Sequence, residues 1–128
     1  MKEPQWLSKP AVLAFQGRML AEHGGDTGIR DEGLLESALA APRKKFHYGE
    51  EDIFPLAEIY AHSLLTNHPF VDGNKRVALV TTGVFLELNG YRLTASEPDT
   101  VLAILALVIG EMKAGGFADW LRVSSEKT

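Results

Sequence analysis

The sequence predicts an all-α domain of about six helices, on three observations. Apolar residues recur at helical spacing in successive segments. Glycine, proline and asparagine mark the ends of those segments. No stretch alternates polar and apolar residues for long enough to build a sheet. With 128 residues and a hydrophobic fraction of 45%, the chain has material for one core and not for two, so residues 1–128 read as a single domain.

The elements follow in order. The first helix is expected over about residues 9–22, where Val12, Leu13, Phe15, Met19 and Leu20 repeat at roughly helical spacing and Gly24-Gly25 end it. A loop, 26–30, leads to a short helix through Leu34, Leu35, Ala38 and Leu39, capped by Asp31 and stopped by Pro42. Segment 43–52 is polar and of mixed charge, and reads as an exposed loop or short hairpin. A helix over about 53–67 carries Leu56, Ile59, Tyr60, Ser63 and Leu64 along one side. Pro69 and Gly73 break the pattern. The next helix starts near Asn74, runs through Leu79, Val80, Val84, Phe85 and Leu88, and stops at Asn89-Gly90.

Residues 91–94 suit a short extended piece. Ser96 caps a helix expected over 98–114, with Pro98 in its first turn and Gly115-Gly116 at its end. The apolar run 101–109 is half of the roughly 18 residues needed to cross a bilayer, and predicts a helix buried on most sides. A last short helix holds Phe117, Trp120 and Leu121, and the polar tail 124–128 is expected to fray.

A formal net charge of −4 argues against direct nucleic-acid binding, which needs a basic footprint, but leaves a nucleotide open. There is no cysteine, so disulfides and thiolate metal sites are excluded and the chain suits a reducing cytosol. Lys2, Glu3 and Pro4 lead into no apolar run typical of a signal peptide. A cytoplasmic protein without membrane association is expected.

The chemistry is concentrated in His68-Pro69-Phe70-Val71-Asp72-Gly73-Asn74-Lys75-Arg76, between two apolar helices. Gly73 and Asn74 stand at a helix start, where the first N–H groups lack intrahelical partners and the helix carries partial positive charge. A glycine there lets backbone amides approach an anion closely, as a phosphate cradle requires. Lys75 and Arg76 add two cations at an end where cations are otherwise unfavourable, so an anion is needed to explain them. Asp72 is a carboxylate beside the cradle, suited to Mg²⁺, which prefers carboxylate and phosphate oxygens. His68 can accept a hydroxyl proton near neutral pH. Base, metal ligand and cradle are the parts of a phosphoryl or nucleotidyl transfer.

Each residue alone has a plainer reading: Asp72 as an N-cap, His68 as a packing residue, Lys75 and Arg76 as solvated charges, and Phe70 as core in either case. A zinc site is weakly supported, because Pro69 and Gly73 prevent His68 and Asp72 from sharing a helix face. A Walker A loop is excluded, since Lys75 is followed by Arg76.

Residues 68–76 resemble the Fic/Doc signature H-P-F-x-D/E-G-N-x-R at every fixed position. Residues 28–39, Gly-Ile-Arg-Asp-Glu-Gly-Leu-Leu-Glu-Ser-Ala-Leu, resemble a segment typical of the death-on-curing (Doc) branch. Residues 61–65 and 85–90 fit the same branch. The resemblance implies an all-α Fic-type bundle. It implies that His68 takes a proton from a target hydroxyl, that Asp72 binds Mg²⁺, and that Gly73, Asn74, Lys75 and Arg76 hold the phosphates of ATP. It also places segment 43–52 where the family has a target-docking flap, although a solvated charged loop explains that composition equally well.

Two departures from the adenylylating Fic pattern set the expected product. Lys75 replaces a glycine and Leu79 replaces a second arginine. Resemblance to the Doc branch then implies a toxin of a toxin–antitoxin system that phosphorylates a threonine of elongation factor Tu. An AMP transferase and an inactive binding module are the alternatives. The inhibitory pattern S/T-x-x-x-E-G/N is absent: the one glutamate followed by glycine or asparagine is Glu32, preceded at four residues by Gly28. Inhibition is therefore expected in trans, from a Phd-like antitoxin.

Overall fold

A computed structural model describes residues 2–128. Among them lie six helices: α1 Lys9–His23, α2 Glu32–His47, α3 Ile53–Asn67, α4 Asn74–Leu88, α5 Glu97–Val108 and α6 Ala114–Val123. The all-α class expected from periodicity is the class observed. Capping explains several of the starts. Ser8, Asp31, Asp52 and Ser96 each accept a backbone N–H at the head of α1, α2, α3 and α5, satisfying donors that the helix itself cannot.

Helix α3 is the centre of the bundle and packs against α2, α4 and α6, while α1 lies on α4. Its inward residues Leu56, Tyr60 and Leu64 meet Phe85 from α4 and Phe117 and Leu121 from α6, all buried. The Tyr60 and Phe85 rings are 4.8 Å apart, and Trp6 stacks on Phe85 at 5.8 Å. Burial does not orphan the Tyr60 hydroxyl, which accepts the Leu7 N–H at 3.1 Å.

Three elements differ from the sequence expectation, each for a physical reason. First, α2 does not stop at Pro42 but continues to His47, with Pro42 buried inside it. A proline in a helix removes the N–H that the carbonyl four residues earlier would accept. Here that carbonyl is Ala38 O, and the Ser63 hydroxyl of α3 lies 2.9 Å from it. The same hydroxyl is 2.7 Å from Ile59 O, so its proton is shared between the two.

Second, the apolar helix ends early. Gly110, at φ 81°, closes α5, and the Met112 N–H caps Ala106 O at 3.0 Å. Gly115 and Gly116 fall instead in the first turn of α6. Nor is α5 buried on most sides. Ala103 and Ile104 face inward, whereas Leu102 and Ile109 are 64% and 65% exposed. A continuous apolar run does not reveal that its helix lies on the rim of a bundle.

Third, the tail does not fray at once. Ser125–Lys127 form β2, antiparallel to β1 Tyr91–Leu93, with Tyr91 opposite Lys127 and Leu93 opposite Ser125. Thr94 N–H to Ser124 O (2.7 Å), Thr128 N–H to Gly90 O (2.8 Å) and the Arg92–Glu126 pair extend the pairing. Among the described residues no helix is long and apolar enough to cross a membrane.

Glu58 of α3 is buried, and its Oε2 makes no hydrogen bond. Burial raises its pKa, opposed in part by the His62 imidazole 3.7 Å away. A carboxyl raised in the folded state costs stability once the pH exceeds its unfolded value, because the unfolded chain ionises more readily. Glu58→Gln is therefore expected to raise the melting temperature at neutral pH. Glutamine leaves a polar atom at the same unpartnered position, so the gain comes from removing the buried charge and is expected on the order of 1 kcal/mol. The gain should vanish as the pH falls below 4.5, the ordinary value for the group. Thermal unfolding of both proteins at pH 4 and pH 7 checks the sign.

Candidate active site

The loop 68–73 joins the C-terminus of α3 to the N-terminus of α4. His68 is the C-cap of α3 and adopts left-handed backbone angles, φ 48° and ψ 56°, with its N–H on Leu64 O at 3.1 Å. Phe70 is fully buried and anchors the loop in the core. Gly73 is the N-cap of α4 at φ 86°, and no side chain caps this helix. The first intrahelical bond runs from Val77 N–H to Gly73 O, so the amides of Asn74, Lys75 and Arg76 lie ahead of the ladder. The partial positive charge of the helix end and the two cations therefore converge on one place.

His68, Asp72, Gly73, Asn74, Lys75 and Arg76 all line one cavity of about 550 Å³, together with Met19, His23 and Gly24-Gly25. The six residues singled out in the sequence are thus brought together. Their roles differ in detail. Asn74 is buried and uses its side chain on the loop itself: Oδ1 accepts the Phe70 N–H at 3.0 Å and Nδ2 donates to Phe70 O at 3.0 Å. What it offers a phosphate is its backbone N–H. Gly73 is favoured by its positive φ of 86°; a Cβ there would meet the Met19 methyl, the end of a flexible side chain that can move aside.

Asp72 is held from the side. Its Oδ2 accepts the Asp26 N–H at 2.9 Å, and the Gln16 amide, buried in α1, donates to Asp72 O at 3.3 Å and Gly28 O at 3.2 Å. Gly25 sits at φ 120°, a backbone conformation that favours glycine, and a Cβ there would be in ordinary contact with the carboxylate at 3.4 Å. Among the described residues no three His, Asp or Glu side chains cluster to hold a metal. A cation at Asp72 would therefore draw most of its ligands from phosphate and water, the usual state of Mg²⁺ beside a nucleotide.

Arg76 reaches Glu97, at the start of α5, with Nη1 2.9 Å from Oε1. Arg76 is half-buried and Glu97 exposed, and such a pair is worth about 0.2–1 kcal/mol. An incoming phosphate must compete with that carboxylate for the guanidinium. Glu97→Gln is expected to tighten ATP binding by about 1.4- to fivefold, the same energy read as affinity. Arg76→Ala should weaken it with or without Mg²⁺. Calorimetric titration of the three proteins with ATP measures both effects.

The segment beside the loop is 24–31, not 43–52. Arg30 N–H and Asp31 N–H donate to Pro69 O at 2.7 and 3.1 Å, Val71 N–H donates to Gly28 O, and Ile29 bridges Phe70. Segment 43–52, expected as a flap, does not adjoin the loop. Residues 43–47 belong to α2, and bonds from Ser63 to Ala38 and from Asn67 to Leu34 show that α2 and α3 run antiparallel. Their connection is thus at the N-terminal end of α3, about 22 Å from His68 for 15 residues at the helical rise. Gln16, Met19, Asp26 and Glu97 carried no motif in the sequence. A glutamine on the buried face of α1 was the one visible sign.

The sequence model of the Fic/DOC family matches residues 6–86, which hold the whole loop, α3 and most of α4. The chain belongs to the Fic/Doc family. Relatives lie in the Doc branch. Toxin Doc of Mycolicibacterium smegmatis is 42% identical over 76 residues, 56% of this chain and 57% of that protein, so the match spans little more than half of it. Protein kinase doc of Escherichia phage P1 is 28% identical over 117 residues, 91% of this chain and 92% of the phage protein. In this chain the loop 68–73 is the α3–α4 connection, and its neighbour is the α1–α2 loop.

Proposed function

We propose that this Fic/Doc protein is the toxin of a toxin–antitoxin system, acting in the cytoplasm as a protein phosphotransferase. It moves the terminal phosphate of ATP to a threonine hydroxyl of elongation factor Tu and so blocks translation. The observation that carries this reading is the convergence of His68, Asp72 and the uncapped head of α4 on one cavity. His68 accepts the hydroxyl proton, the hydroxyl oxygen forms the new bond to phosphorus, and the bond to the ADP oxygen breaks. The amides of residues 74–76 with Lys75 and Arg76 hold the phosphates, where charge develops. Mg²⁺, when bound at Asp72, neutralises phosphate charge. Lys75 and Leu79, in place of a glycine and a second arginine, favour delivery of the terminal phosphate over AMP. The relative named a protein kinase supports the same choice.

Inhibition in trans by a Phd-like antitoxin completes the proposal. A second cavity of about 510 Å³ adjoins the first and shares Met19, His23 and Arg76 with it, with Phe15, Leu79 and Val80 as apolar lining. An amphipathic helix seated there would lie against the phosphate arginine. Mass spectrometry of elongation factor Tu incubated with this protein, ATP and Mg²⁺ tests the reaction. An added phosphate on threonine is expected; added AMP or an unmodified factor would overturn the phosphotransferase assignment. Expression of the chain alone in a bacterial host should arrest translation, and co-expressed antitoxin should relieve it. Normal growth at high protein levels would count against the toxin.

A further inference from the structure

Among the described residues, His68 is the one non-glycine at positive φ. Two features of the chain oppose that conformation. A left-handed L-residue crowds its Cβ against the following carbonyl. The next residue is Pro69, which pushes its predecessor toward extended backbone. Something outside the loop must therefore hold His68 where it is.

The His68 N–H is held by Leu64 O, and the carbonyl side is held by one residue of the α1–α2 loop. The Arg30 Nε donates to His68 O at 2.8 Å and its Nη2 donates to Asn67 O at 2.9 Å. The planar guanidinium thus spans two successive carbonyls at the C-terminus of α3, the end of a helix where a cation is favoured. The Arg30 backbone N–H holds the next carbonyl, Pro69 O, at 2.7 Å. Arg30 thus contacts three consecutive carbonyls, 67, 68 and 69, sharing the last with the Asp31 N–H at 3.1 Å. The phosphate cradle is braced independently, by the Asn74–Phe70 pair and by the Asp26–Asp72 bond.

We propose that Arg30 is a positioning residue for the histidine: its guanidinium holds His68 in the left-handed conformation that sets the imidazole on the cavity wall. This rests on the transfer reaction proposed above only for its kinetic consequence. Loss of the guanidinium lets His68 relax toward the extended region, which redirects the side chain while leaving residues 72–76 in place. The proton acceptor is displaced and the nucleotide site is not.

Arg30→Ala, Arg30→Gln and Arg30→Lys test the proposal. With elongation factor Tu as acceptor, Arg30→Ala is expected to lower kcat by about ten- to a hundredfold, the scale of a misplaced catalytic group. KM for ATP and calorimetric ATP affinity should stay within about twofold of wild type. Lysine, which keeps the charge and can donate to both carbonyls, should recover part of kcat, and glutamine less. The second readout needs no turnover: the φ-sensitive HN–Hα coupling of His68, measured by NMR, should move toward extended values in Arg30→Ala. Unchanged kcat in Arg30→Ala, or an equal loss in kcat and ATP affinity, would overturn the positioning role. An unchanged His68 coupling would do the same. If Arg30→Ala does not fold, the lysine and glutamine variants carry both measurements. If wild type itself transfers nothing, the proposed reaction fails and the coupling alone decides the role of Arg30.

Discussion

His68→Ala is expected to reduce phosphate transfer by about 10²–10⁴-fold, the range that a positioned general base contributes. The side chain is exposed and lines the cavity, so its removal takes nothing from the core. The helix end it caps is held through its backbone, by N–H to Leu64 O and by Arg30 to its carbonyl, and alanine preserves both bonds. Binding should survive as well, because the cradle is built from α4 and from Asp72. The expected signature is a protein that melts like wild type, binds ATP like wild type and does not transfer. Single-turnover transfer to elongation factor Tu, with thermal unfolding measured alongside, checks all three. An unchanged rate would take the proton-accepting role away from His68.

The site was legible in the sequence to the extent that it is local. Six residues within nine positions are forced onto one cavity because a helix end, a buried Phe70 and a helix start leave the loop little freedom. The helix starts were legible for the same reason: Asp31 and Ser96 act on N–H groups three residues away. What was not legible depends on partners distant in sequence. Gln16 and Asp72 are 56 residues apart, Arg30 and His68 are 38 apart, and nothing in either local pattern announces the other. Pro42 read as a stop because its remedy, Ser63, is on another helix. Segment 43–52 drew attention through composition, which says that it is exposed but not at which end of the bundle it lies.

Asp72→Asn should separate metal from phosphate. Asparagine keeps an oxygen that can accept the Asp26 N–H, so the 24–31 loop and the bracing by Gln16 should persist. What is lost is the negative charge, among the described residues the only carboxylate lining the cavity. A hard cation that draws most of its ligands from phosphate and water still needs that charge to be fixed in the site. ATP affinity without Mg²⁺ should rise slightly or stay level, since a carboxylate facing the phosphates has been neutralised. The gain in affinity that Mg²⁺ gives wild type should disappear. Transfer should fall by on the order of 10²-fold or more, because metal stabilisation of charge at a transferring phosphoryl group is worth several kcal/mol. Calorimetric titration of both proteins with ATP, with and without Mg²⁺, gives the binding terms, and single-turnover transfer gives the rate. Equal Mg²⁺-dependent affinity in wild type and Asp72→Asn would place the cation elsewhere and leave Asp72 as an anchor for the loop.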